Sequence, residues 1–96
     1  MGGDPMRYML CRNKVRDYDV WRRIFDSHKP LHLEIGLILT KIWRNVDDPN
    51  DVYFLFEVRD KEKADAFISA PGNEKIAEGA GVLEGDIRYL DELKIY

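Results

Sequence analysis

Between Gly36 and Arg59 two runs dense in apolar residues, 37–46 and 52–59, flank the polar turn 47–51. Both runs are rich in β-branched and aromatic residues and are bounded by turn formers, so they predict one long β-hairpin. In the second arm Val52, Phe54, Phe56 and Val58 point one way, and Tyr53, Leu55, Glu57 and Arg59 point the other. The first set is wholly apolar and is expected under helices. The second mixes two large apolar groups with two charges. Alternation alone leaves open which face of the first arm points to the helices.

Upstream, residues 7–13 read as a strand. Asp17 is a good N-cap for a helix in which Trp21, Ile24, Phe25 and His28 recur at i, i+3, i+4 and i+7, with Asp19, Arg22, Arg23 and Asp26 on the wet side. Pro30 should end or kink that helix, because it lacks an N–H to bond back to residue 26. Residues 31–35 can add a turn before Gly36 opens the hairpin. Downstream, Asp60 caps a helix with Ala64, Phe67 and Ile68 on one face, and Pro71-Gly72 interrupts it. Asn73 starts a short helix with Ile76, Ala77 and Ala80 inward, stopped by Gly79 or Gly81. Val82-Leu83 leads to a last strand over residues 86–91.

This order, strand, helix, strand, strand, helix, strand, predicts an α+β fold. It is a ferredoxin-like βαββαβ sandwich whose four-stranded antiparallel sheet carries its helices on one face. Right-handed crossovers place the first and third strands in the centre. Without repeats or linkers, residues 6–96 read as one domain behind a disordered leader, residues 1–5.

Several stretches resemble the dimeric α/β-barrel superfamily, which includes the antibiotic biosynthesis monooxygenase-like proteins. They are Asp17-Tyr18-Asp19-Val20-Trp21 opening the first helix, Asp47-Asp48-Pro49-Asn50-Asp51-Val52 at the hairpin tip, Asp60 with Ala64 and Phe67, and Ala80-Gly81-Val82 before the last strand. The resemblance is to small uncharacterised members, and it speaks for fold more than for activity. It implies a homodimer paired through the open sheet face and a cavity between helices and sheet. It also implies, as one function, a cofactor-independent monooxygenase or an isomerase or cyclase acting on an aromatic or polyketide-like substrate. The residues give a separate reason for pairing: Tyr53 and Leu55, with Glu57 beside them, would otherwise meet water on a helix-free face. Each buried apolar side chain contributes roughly 1.5–3 kcal/mol.

Composition narrows the classes. Lys and Arg number 15 against 18 Asp and Glu, a net charge of −3, which argues against a general nucleic-acid binder. No apolar run approaches a spanning helix, so no membrane partner is expected. One cysteine, Cys11, excludes an intrachain disulfide and fits a reducing cytoplasm. Glycine-rich phosphate loops, nucleophile elbows and cysteine-pair metal motifs are absent from the sequence.

Candidate chemistry centres on His28, which can exchange a proton near neutral pH and is the candidate catalytic base. Against that stands a histidine at a helix end bonded to backbone. His28 and His32 have the i, i+4 spacing of a metal pair, but Pro30 between them breaks the geometry, so no metal is expected. Trp21, Phe25, His32, Trp43, Phe54 and Phe56 are the candidate substrate-binding residues for a small apolar or aromatic ligand, the alternative being plain core. Haem-degrading relatives carry an Asn, Trp and His set that Asn13, Trp43 and His28 do not match, and no cofactor is called for. Arg44, Glu57 and Arg59 either converge on a carboxylate or form ion pairs at the dimer face. Asp47, Asp48 and Asp51 read as turn formers at a solvated tip. Three functions remain: a homodimeric small-molecule binder, the enzyme just described, or a structural or regulatory dimer module with a filled core.

Overall fold

The computed structural model describes residues 6–96, so the leader expected at residues 1–5 lies outside the described residues. The strands are β1 (Arg7–Val15), β2 (Leu37–Arg44), β3 (Asp51–Val58) and β4 (Val82–Asp91). They form one antiparallel sheet in the order β2-β3-β1-β4, which puts the first and third strands in the centre as expected. Each helical region is broken in two, giving α1 (Tyr18–Ser27), α2 (Lys29–Glu34), α3 (Lys61–Ser69) and α4 (Pro71–Gly79).

The breaks follow from the prolines. Pro30 sits in the first turn of α2 and Pro71 opens α4, positions where a missing N–H leaves no helical bond unmade. The second of these shifts a sequence expectation: α4 starts at Pro71 rather than at Asn73. The aspartate caps form as read. Asp17 Oδ1 accepts from the Val20 N–H at 3.3 Å, and Asp60 Oδ1 accepts from the Lys63 N–H at 3.0 Å. Gly36 holds φ at +79°, and a Cβ there would lie 3.0 Å from the Asp60 backbone nitrogen, so turn and close approach both require glycine.

The helices cover the sheet face carrying Met9, Cys11, Phe54 and Phe56. Trp21, only 2% exposed, stacks on Phe25 and tilts against Phe54. On α3, Ala64 is fully buried, and Ile68 packs beside the same core. Tyr89 of β4 ties the sheet to α3 by donating its hydroxyl to Asp65 at 2.7 Å. Among the described residues no helix is long and apolar enough to cross a membrane.

The other sheet face carries no helix. Register places Leu10 beside Leu55 and Arg12 beside Tyr53, with Trp43 beyond Tyr53 on β2. Leu55, Tyr8, Thr40 and Leu90 line a shallow depression there.

Candidate functional site: a cavity between helices and sheet

A cavity of about 160 Å³ lies between the two helical pairs and the sheet. Met9, Cys11, Phe54 and Phe56 form its floor, α1 contributes Trp21, Ile24 and Phe25, and Phe67, Ile68 and Ile76 close the far side. His28 and His32 stand at its edge where α1 gives way to α2. No lysine, arginine, aspartate or glutamate is among the described residues lining it. The periodicities explain this arrangement. The i, i+3, i+4, i+7 stripe of α1 and the period-2 stripe of β3 aim their aromatic rings into one space.

The two histidines differ in their surroundings. His28 Nδ1 lies 2.7 Å from the Ile24 carbonyl oxygen, which can only accept, so Nδ1 carries the proton and Nε2 of the neutral ring is an acceptor. This is the backbone-bonded helix-end histidine considered as the alternative reading, in a residue that also lines the cavity. His32 packs between aromatic rings, with centres 5.3 Å from Phe25 and 5.0 Å from Phe56. Neither of its nitrogens has a hydrogen-bond partner among the described residues, and no side-chain nitrogen or oxygen there is left both buried and unpaired, so the His32 nitrogens open onto accessible space. Burial first, and then the charge of His28, hold the His32 pKa below its ordinary value, favouring the neutral ring. The ring centres of the pair are 6.4 Å apart. Among the described residues no group of three or more His, Cys, Asp and Glu is placed to hold a metal.

Of the residues singled out from the sequence, Trp21, Phe25, His28, His32, Phe54 and Phe56 come together around the cavity. Trp43 does not, and its placement there is corrected. The ladder between β2 and β3 shifts register between Leu39 and Lys41, leaving Thr40 as an extra residue whose Oγ1 donates to the Leu55 carbonyl at 3.1 Å. The shift reverses the alternation, so Ile42 faces the core while Trp43, 43% exposed, stands opposite Tyr53 on the open face.

Arg44 does not converge with Glu57 and Arg59. Its guanidinium lies 3.9 Å from the Tyr18 ring centre, and Nε donates to the Pro49 carbonyl, while Arg59 pairs with Glu57 at the other end of the hairpin.

Asp51 is likewise no solvated turn residue. It opens β3 at 5% exposure, accepts from Asn45 Nδ2 at 3.1 Å and from Arg12 Nε at 2.7 Å. These bonds, Asn45 first, lower its pKa.

Asn13 and Asn73 are lining residues that sequence reasoning missed as site residues. With its amide turned so that both ends are satisfied, Asn13 accepts from Trp21 Nε1 at 3.3 Å through its oxygen and donates to the Arg12 carbonyl at 2.9 Å through its nitrogen. Its place on the core face follows from Cys11 by simple alternation, which is the signal that could have found it. Cys11 is a buried hydrophobe as read, and burial pushes its thiol up to about 12.

No family model matches the chain, and no curated protein matches it in sequence. Its fold does match solved structures. A candidate antibiotic biosynthesis monooxygenase from Bordetella bronchiseptica superimposes with a TM-score of 0.73 at 10% identity, covering 94% of this chain and 99% of that one. An antibiotic biosynthesis monooxygenase gives 0.66 at 14% identity, with coverage of 93% and 100%. A candidate monooxygenase from Lactobacillus acidophilus NCFM gives 0.65 at 20% identity over 92% of this chain, which spans only 45% of that longer protein. At these identities the likeness speaks for architecture and leaves chemistry to the site. The chain shares its fold with these antibiotic biosynthesis monooxygenases and candidate monooxygenases.

Proposed function

We propose that the protein is a cytoplasmic homodimer that holds a small apolar or aromatic molecule in the helix–sheet cavity of each subunit. The observation that carries the ligand reading is the cavity itself. Five aromatic residues, Trp21, Phe25, Phe54, Phe56 and Phe67, surround it, and two imidazoles supply polarity at its edge. An apolar chamber with a few polar groups is the usual form of a small-molecule site, and its volume counts against a module with a filled core. Dimerisation is supported by the open sheet face, where Tyr53, Leu55 and Trp43 stand without helical cover and Glu57 beside them is paired to Arg59. A thermal-shift screen with small aromatic and quinone-like compounds tests the ligand reading. Stabilisation that saturates supports it, and no shift with any compound rejects it. Sedimentation equilibrium at micromolar concentration tests the dimer, which a purely monomeric profile rejects.

A second reading, a cofactor-independent monooxygenase or an isomerase or cyclase, is favoured by the fixed tautomer of His28. With Nδ1–H committed to the Ile24 carbonyl, Nε2 is a proton acceptor at the cavity edge. In that reading His28→Ala abolishes turnover while binding persists, and unchanged turnover in the variant dismisses His28 as the base.

A further inference from the structure

The size of the cavity and the placement of its two imidazoles narrow the ligand class, on the premise that the cavity is the ligand site proposed above. Its volume of about 160 Å³ is close to the roughly 150 Å³ of an apolar protein cavity that accepts one benzene. One six-membered ring with a small substituent fits, and two fused rings do not. The described lining carries no charged side chain of the carboxylate, ammonium or guanidinium type, so the ligand is neutral.

Hydrogen bonding places the polar substituent. The Asn13 amide already has a partner at each end, Trp21 and the Arg12 carbonyl, and Cys11 remains a protonated thiol on the floor. His28 offers an acceptor, because its Nδ1–H is already given to Ile24. His32 offers an N–H with no partner among the described residues. Ring centres 6.4 Å apart are too distant for a direct bond between the imidazoles, yet close enough for one oxygen to reach both. A group that donates and accepts through a single oxygen is a hydroxyl. We propose that the cavity binds a single-ring phenol, whose hydroxyl donates to Nε2 of His28 and accepts from His32 while its ring lies against Phe25, Phe54 and Phe56.

Isothermal titration of the wild-type protein with phenol, anisole, toluene and 1-naphthol tests this. The first three share a ring and differ in hydrogen bonding, while the fourth keeps the hydroxyl and adds a ring. Phenol is expected to bind roughly two- to tenfold more tightly than anisole, the span one hydrogen bond supplies, and more tightly still than toluene, which makes neither bond, and 1-naphthol is expected not to bind. In His32→Leu the phenol advantage over toluene should shrink, because the bond that the hydroxyl accepts is lost, while its advantage over anisole, which rests on donation to His28, persists. Equal affinities for phenol, anisole and toluene overturn the hydroxyl site and leave the cavity reading standing. Binding of 1-naphthol as tight as phenol overturns the single-ring limit alone. Failure of all four ligands overturns the cavity reading as well. The wild-type series decides the matter even if His32→Leu does not fold.

Discussion

Replacing Phe54 with alanine probes the packing on which the cavity depends. The ring is buried, and its centre lies 5.6 Å from Trp21, 5.0 Å from Phe25 and 5.7 Å from Phe56. Deleting a buried phenyl group costs about 3–5 kcal/mol. One side of Phe54 already faces the cavity, where it has no partner atoms to lose, so the lower end, about 3 kcal/mol, is expected. A chain of this length has roughly 5–15 kcal/mol of stability, so the variant should stay folded at room temperature. Urea unfolding followed by circular dichroism reads the loss as a lower midpoint at unchanged slope. The enlarged chamber should also admit 1-naphthol, which the wild type is expected to exclude. A loss below about 1 kcal/mol would refute the placement of Phe54 in the core. A loss near 5 kcal/mol with no naphthol binding would mean that the ring is packed on every side and that the cavity is not there.

Gly36→Ala places a Cβ at φ +79° and 3.0 Å from the Asp60 nitrogen, so it should cost at least about 1 kcal/mol in urea unfolding; an unchanged midpoint contradicts the required turn. Cys11, with its thiol held up to about 12 by burial, should react with iodoacetamide on the order of a hundredfold more slowly in the native than in the unfolded protein, and equal rates contradict its burial. The depressed pKa of His32 means that the unfolded chain binds more protons just below the ordinary histidine value. Stability should therefore fall as pH drops from about 7 through about 6.5 and below, until the folded-state ring is itself protonated. His32→Phe should flatten that part of the profile, and a variant profile parallel to the wild type contradicts the assignment.

Much of the fold was legible because local signals agree with one another. The β3 stripe Val52, Phe54, Phe56 and Val58 is buried as alternation requires, and Asp17 and Asp60 cap helices with the bonds their chemistry offers. The α1 stripe led directly to Trp21, Phe25 and His28 at the cavity. Trp43 was lost to a single bulged residue, because Thr40 carries no turn signature and one extra residue inverts a period-2 pattern. Asp51 looked like its acidic neighbours in the turn. Only the pairing of β1 with β3, which brings Arg12 to it across 39 residues of sequence, makes it a buried partner. The state of His28 was equally out of reach, since the 2.7 Å approach of Nδ1 to the Ile24 carbonyl depends on how α1 ends.

Calorimetry of phenol binding to the wild type and to Ala77→Phe places the ligand most directly. Ala77 lines the cavity from α4, so a phenyl group there should occupy the space a ligand needs while leaving the chain folded. One phenol per wild-type chain and none in folded Ala77→Phe is the predicted result. Equal binding by both proteins would contradict a ligand site between the helices and the sheet, and binding by neither would contradict phenol as its ligand.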